Sequence, residues 1–81
     1  MTGSEQARTL HAARPGEQVR LAAIDVPAEH RLRLAELGVR AGGWVRVLGR
    51  TVGGGRVIGI GADRLALDRR SAQQIVLASG R

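Results

Sequence analysis

Cysteine, lysine, phenylalanine and tyrosine are all absent from this chain, and Trp44 is its single aromatic residue. Without thiols the fold has neither a disulfide nor a thiolate metal site to staple it. With one aromatic side chain, stacked bases, grooves for proline-rich peptides and aromatic boxes around ligands lose their usual means. No uninterrupted apolar run approaches membrane-spanning length, and the first six residues lack the apolar core of a signal peptide. The simplest expectation is a cytoplasmic protein with no direct membrane insertion. With lysine missing, thirteen Arg stand against seven acids for a formal net charge of +6. So uniform a choice of arginine is as much a signature of genome composition as of function, which tempers any reading of the charge alone.

What is present fits one small domain. The chain has 81 residues, 43% hydrophobic and 25% charged, which is the composition of a folded protein rather than a disordered one. A domain of this size buries a modest share of its surface and folds with little margin. Residues 1–8 read as a flexible tail, 9–78 as the domain and 79–81 as a short C-terminal tail. Leu10 opens a segment closed by the turn pair Pro15-Gly16. Val19, Leu21 and Ala23 fall on one side of an extended segment with Arg20 opposite, predicting a half-buried strand over Val19–Ile24. Pro27 suits a first helical turn, Glu29 favours the positive end of the helix dipole and Gly38 is a natural stop, so a helix is predicted over Ala28–Leu37. At about 100° per residue, His30, Leu34 and Leu37 share one of its faces, and Ala28, Leu32 and Ala35 the opposite one.

Past Gly42-Gly43 the pattern turns strand-like: Trp44–Leu48, Arg56–Ile60, Leu65–Asp68 and Ile75–Leu77. Val52–Gly55 reads as a hairpin tip, and Ser71–Gln74 is long enough for a single helical turn. The fold predicted is mainly β: a small, strongly curved barrel of about five short strands with one short α-helix, closure hiding the strand edges.

Chemistry finds little purchase here. The glycines near Gly54-Gly55 invite a phosphate-binding loop, but Ile60 and Gly61 stand where Lys and Ser or Thr are needed, and no third glycine opens a helix. His11 and His30 are the only imidazoles, and neither has a second ligand at helical spacing, so neither a metal site nor a cofactor is expected. No serine sits in a nucleophile elbow or beside a histidine, and no enzymatic activity is expected. The charge is lopsided: residues 1–41 hold six Arg against five acids, residues 42–81 seven against two. Arg46, Arg50 and Arg56 flank the hairpin strands and are expected to form one basic face. Specific nucleic-acid recognition is not expected, because there is neither an aromatic platform nor a basic recognition helix.

Three segments, in order and spacing, resemble the FeoA family of small proteins from bacterial ferrous iron uptake. Arg33-Leu34-Ala35-Glu36-Leu37-Gly38-Val39-Arg40-Ala41-Gly42 is similar to the family's R-L-x-x-L-G-apolar-x-x-G signature. Upstream, Leu10 and Pro15-Gly16 match its opening; downstream, Ala66-Leu67, Ala72, Ile75 and Leu77 match its close. Gly54-Gly55 departs from the family's frequent Gly-Pro, and Asp68 stands where Arg is common. The resemblance implies an SH3-like barrel and a partner, the ferrous iron transporter FeoB with its cytosolic GTPase domain. It implies an accessory or regulatory role in iron homeostasis through protein–protein interaction, with transition metal ion binding known only as a family-level property. On that reading the partner surface is expected at Leu32, Arg33, Arg40, Arg46, Arg50 and Arg56. Leu34 and Leu37 are expected to pack inward and Ala28 and Ala35 to be buried by a neighbouring loop, with Leu32 left open. Two alternatives remain, a stand-alone SH3-like module related to the C-terminal domain of iron-dependent repressors and a nonspecific basic nucleic-acid binder. A homo-oligomer is also open to a domain with so small a core.

Overall fold

A computed structural model describes residues 8–78; the two terminal segments read as tails lie, Arg8 apart, outside the described residues. After a 3-10 turn at Leu10–Ala12 come β1 (Gln18–Ile24), α1 (Ala28–Glu36), β2 (Trp44–Arg50), β3 (Arg56–Ile60), β4 (Asp63–Leu67), α2 (Arg69–Gln73) and β5 (Ile75–Leu77). All strand pairs are antiparallel and form one sheet in the order β4-β3-β2-β1-β5. Every predicted strand and the helix are present, with ends moved by two residues or fewer.

Closure is where expectation and structure part. Among the described residues β4 and β5 do not pair, so the sheet curls without sealing. The outer edge of β5 is covered instead by the chain's own start, through a bridge between Thr9 and Val76 and an amide bond from Leu77 N–H to the Arg8 carbonyl. Arg8 thus belongs to the domain rather than to a tail, and its guanidinium pairs with Glu17 at 3.0 Å. The 3-10 turn and α2 pack together across the remaining gap.

The inner face of the curled sheet supplies Val19, Leu21, Ile24, Val45, Val47, Ile58, Leu67, Ile75 and Leu77 to one core, completed by Leu10, Leu34, Val39 and Ala72. Each fully buried aliphatic side chain among them stabilises the fold by about 1.5–3 kcal/mol. Two β-bulges interrupt the alternation. The first falls between Leu21 and Ala23, so that Ala23, expected to face inward with Val19 and Leu21, is exposed and Ile24 takes the inward place. An extra residue in one strand shifts every later side chain to the other face.

Local stops follow their chemistry. Gly55 is irreplaceable on packing grounds: a Cβ there would lie 2.1 Å from the Leu67 carbonyl oxygen and 2.7 Å from Thr51 Oγ1. Asp68 caps α2, its carboxylate accepting from Ser71 N–H at 2.8 Å. That amide, followed by the Ser71 hydroxyl, holds the Asp68 carboxyl below its ordinary value of 3.8.

Two predictions come from these stops. Gly55→Ala should lower stability by about 1–3 kcal/mol in urea unfolding, whereas Gly53→Ala, with open space around it, should change it by less than about 0.5 kcal/mol. Asp68→Ala should be less stable than the parent chain near neutral pH. Because the folded carboxyl titrates below its unfolded value, that stabilisation is present above the unfolded value and fades as pH falls through the folded one. The two urea midpoints should therefore converge as pH falls below the folded carboxyl's lowered value.

Candidate functional site

The signature segment explains itself first as structure. Helix α1 ends in a Schellman turn: Gly38 N–H donates to the Ala35 carbonyl at 3.0 Å and Val39 N–H to the Leu34 carbonyl at 2.8 Å. Gly38 takes φ +99°, and a Cβ on it would come within 2.9 Å of Ile60 Cγ2, so a glycine is needed both for conformation and for space. Leu34 and Val39, the apolar pair that clasps such a turn, are both buried. The chain then returns to β1 through Gly42 N–H to the Leu21 carbonyl and Leu21 N–H to the Gly43 carbonyl.

On α1 and at its C-terminal turn, apolar and basic side chains remain outside the core. Leu32 is 63% exposed and Leu37 is 49% exposed, with Arg33 and Arg40 also at the surface. Leu37 was expected to pack inward beside Leu34. It falls instead at the helix C-cap with φ −90° and ψ 1°, outside the helical repeat that would have carried it toward the core. Ala28 is exposed and Ala35 half-buried, so no loop covers that face of α1 as expected.

The basic face expected from Arg46, Arg50 and Arg56 is not one surface. Arg56 is 7% exposed. Its Nε donates to the Ala13 carbonyl at 3.1 Å, its Nη1 to the carbonyls of Gly54 at 3.1 Å and Gly55 at 2.8 Å, and its Nη2 to the His11 carbonyl. Among the described residues no carboxylate pairs with it; backbone dipoles alone solvate its charge. Arg56 is thus a tie between the N-terminal turn and the hairpin loop, withdrawn from any partner. Arg50 lies opposite Arg56 in the register because the second bulge, between Val47 and Gly49, turns the end of β2 over. Arg46 alone of the three stays on the outer sheet face, opposite Gly59.

That outer face carries a feature the sequence reading passed over. In the register Gln18, Arg46, Gly59 and Arg64 form one row across β1, β2, β3 and β4. Trp44 and Leu48 flank Arg46 along β2, 59% and 42% exposed, and a shallow groove of about 390 Å³ opens over Gly59 among them. The signal was available in the alternation of Trp44, Arg46 and Leu48 with Val45 and Val47. Only the pairing shows that a glycine faces them. Among the described residues no three His, Asp or Glu side chains converge as a metal site would require.

A curled five-stranded antiparallel sheet with one longer helix, α1, at its rim defines an SH3-like module. The FeoA domain family matches residues 8–79, and the chain belongs to the FeoA family. A crystal structure of an iron uptake regulatory protein, FeoA, is 20% identical over 90% of this chain and 96% of its own, with a TM-score of 0.76. The FeoA protein from Chlorobium tepidum, solved by NMR, is 21% identical over 86% of this chain and 68% of its own, with a TM-score of 0.79. A manganese-dependent transcriptional repressor is 28% identical over 95% of this chain, which spans 44% of the repressor, with a TM-score of 0.77. No curated protein matches the chain significantly.

The Arg56 tie makes a prediction. Arg56→Lys keeps the charge but replaces a planar fork by one flexible ammonium that cannot reach four carbonyls, and should lower stability by about 2–3 kcal/mol in urea unfolding. Arg46→Lys, on the open face, should change it by less than about 0.5 kcal/mol.

Proposed function

We propose that this FeoA-family chain is a cytoplasmic accessory protein of ferrous iron uptake that docks on the transporter FeoB and supports or regulates it. It performs no chemical step and holds no iron of its own. The observation that carries this reading is the extent of the family match, residues 8–79, which takes in the complete SH3-like module. The patch on α1 and at its C-terminal turn is the docking surface that this reading favours. Leu32 and Leu37 offer apolar area unclaimed by the core, and Arg33 and Arg40 border it. Such a pairing of apolar centre and charged rim is the usual make-up of a transient protein interface.

One observation favours a second reading, an SH3-like module of the regulator type: the 28% identity to the manganese-dependent repressor. DNA reading in such a protein needs a recognition helix. The described helices are α1, nine residues, and α2, five residues, and they do not form a helix-turn-helix pair.

Isothermal titration of the chain into the cytosolic region of FeoB from the same organism, with and without a nonhydrolysable GTP analogue, tests the proposal. Saturable binding is expected, weakened about tenfold or more by Leu32→Asp combined with Arg40→Glu. Absence of heat in every nucleotide state would overturn it, and salt-sensitive binding to duplex DNA would then favour the nonspecific basic nucleic-acid binder.

A further inference from the structure

We propose that the groove on the outer sheet face binds an acidic segment of another protein, in extended form, whose pattern is acidic-x-apolar-x-acidic. This surface is separate from the patch on α1 and at its C-terminal turn, and the proposal stands whether or not FeoB is the partner.

The row Gln18, Arg46, Gly59, Arg64 runs perpendicular to the strands. Gly59 contributes no side chain to it, and the Leu48 side chain covers it instead, with Cδ1, Cγ and Cδ2 3.3, 3.5 and 3.6 Å from where a Cβ of Gly59 would stand. Leu48 thus forms an apolar floor between two arginines about 10 Å apart at their backbones, two interstrand spacings, and Trp44 stands on the other side of the row. The groove has this apolar floor and side, with Arg46 and Arg64 among its lining. An apolar side chain above Gly59 would rest on Leu48 beside Trp44. Side chains two residues to either side in an extended peptide point the same way, each about 7 Å from the centre, within the reach of an arginine. A carboxylate at those positions meets the fork of Arg46 or Arg64 in the geometry that favours bidentate pairing.

Charge complementarity selects the occupant. Arg20 lies beside Trp44 in the β1–β2 pairing and adds to the positive field, and Asp63 is the single acid lining the groove. A second copy of a chain with net charge +6 would be repelled. A nucleic acid would find one aromatic platform and no continuous basic track, so it is the less suited polyanion. Among the described residues no strand pairs with the outer edge of β4, the strand that carries Arg64, and a segment can cross the sheet there.

Trp44 is the only aromatic residue in the chain, and its fluorescence reads the groove without a label. The probe is an acetylated and amidated peptide, Asp-Glu-Ser-Leu-Ser-Glu-Asp. We expect a saturable blue shift of Trp44 emission with a dissociation constant below about 1 mM. The shift should be weakened about tenfold by Arg46→Glu or Arg64→Glu and by replacing the peptide's leucine with serine, and unchanged in Leu32→Asp. Both arginines are exposed, and circular dichroism verifies that the variants fold. No saturable shift up to about 1 mM overturns the proposal. Equal binding of the serine peptide, or tighter binding of a short oligothymidylate than of the peptide, also overturns it, leaving bare ionic attraction or a nucleic-acid surface respectively.

Discussion

A guanidinium buried among backbone carbonyls holds this small domain in shape. Arg56 gathers the carbonyls of His11, Ala13, Gly54 and Gly55 around one planar group, and in doing so fastens the N-terminal turn to the loop between β2 and β3. The chain has no disulfide, and its sheet does not seal itself. The ends of the curl must therefore be held by something else, and a charge that cannot be deprotonated, solvated by oriented dipoles, meets that need. The carbonyls of His11, Ala13 and Gly54 find a donor in this contact, and that of Gly55, which also accepts from Thr51 N–H, a second one. Core packing then proceeds around fixed ends: Leu10 reaches the interior because the turn that carries it is anchored.

Once the ends are held, the two faces of the sheet take different tasks. The inner face is aliphatic apart from Arg56 at the start of β3 and fills the core. The outer face keeps arginine, one tryptophan and one leucine in contact with solvent, with a glycine at the centre of the row. The bulges in β1 and β2 decide membership of each face, since each moves the following residues across the sheet. Ile24 enters the core by this means, and Arg50 leaves the face that holds Arg46. The helix adds a second exposed area at its C-terminal turn. Its glycine stop is dictated by fold, while its surface leucines are free for a partner. Within the ten residues of the family signature, Leu34, Gly38 and Val39 set the conformation while Arg33, Leu37 and Arg40 stay at the surface.

Much of this was legible from local chemistry. The strands over Arg56–Ile60 and Ile75–Leu77 keep their predicted ends, and the helix starts at Ala28 as Pro27 and Glu29 require. Gly38 ends it for the reason the sequence suggests. Of the residues expected at a partner surface, Leu32, Arg33, Arg40, Arg46 and Arg50 are exposed. Arg56 was misjudged because its four acceptors lie next to it or more than forty residues away, and a carbonyl leaves no mark in the sequence. Leu37 was misplaced because helical periodicity was carried one residue past the point where the helix ends.

The amino-acid sequence by itself determined the order of elements, the class of fold, the family resemblance and the absence of thiol chemistry. These depend on residue type and on spacing of a few positions, which local physics reads directly. Tertiary structure alone decided that the curl stays open between β4 and β5, that Arg56 is an internal tie, and that Gly59 lies between Arg46 and Arg64. Each of these follows from strand register and bulge placement. Those are set by how the whole core packs, and a shift of a single residue there reverses which side chains meet.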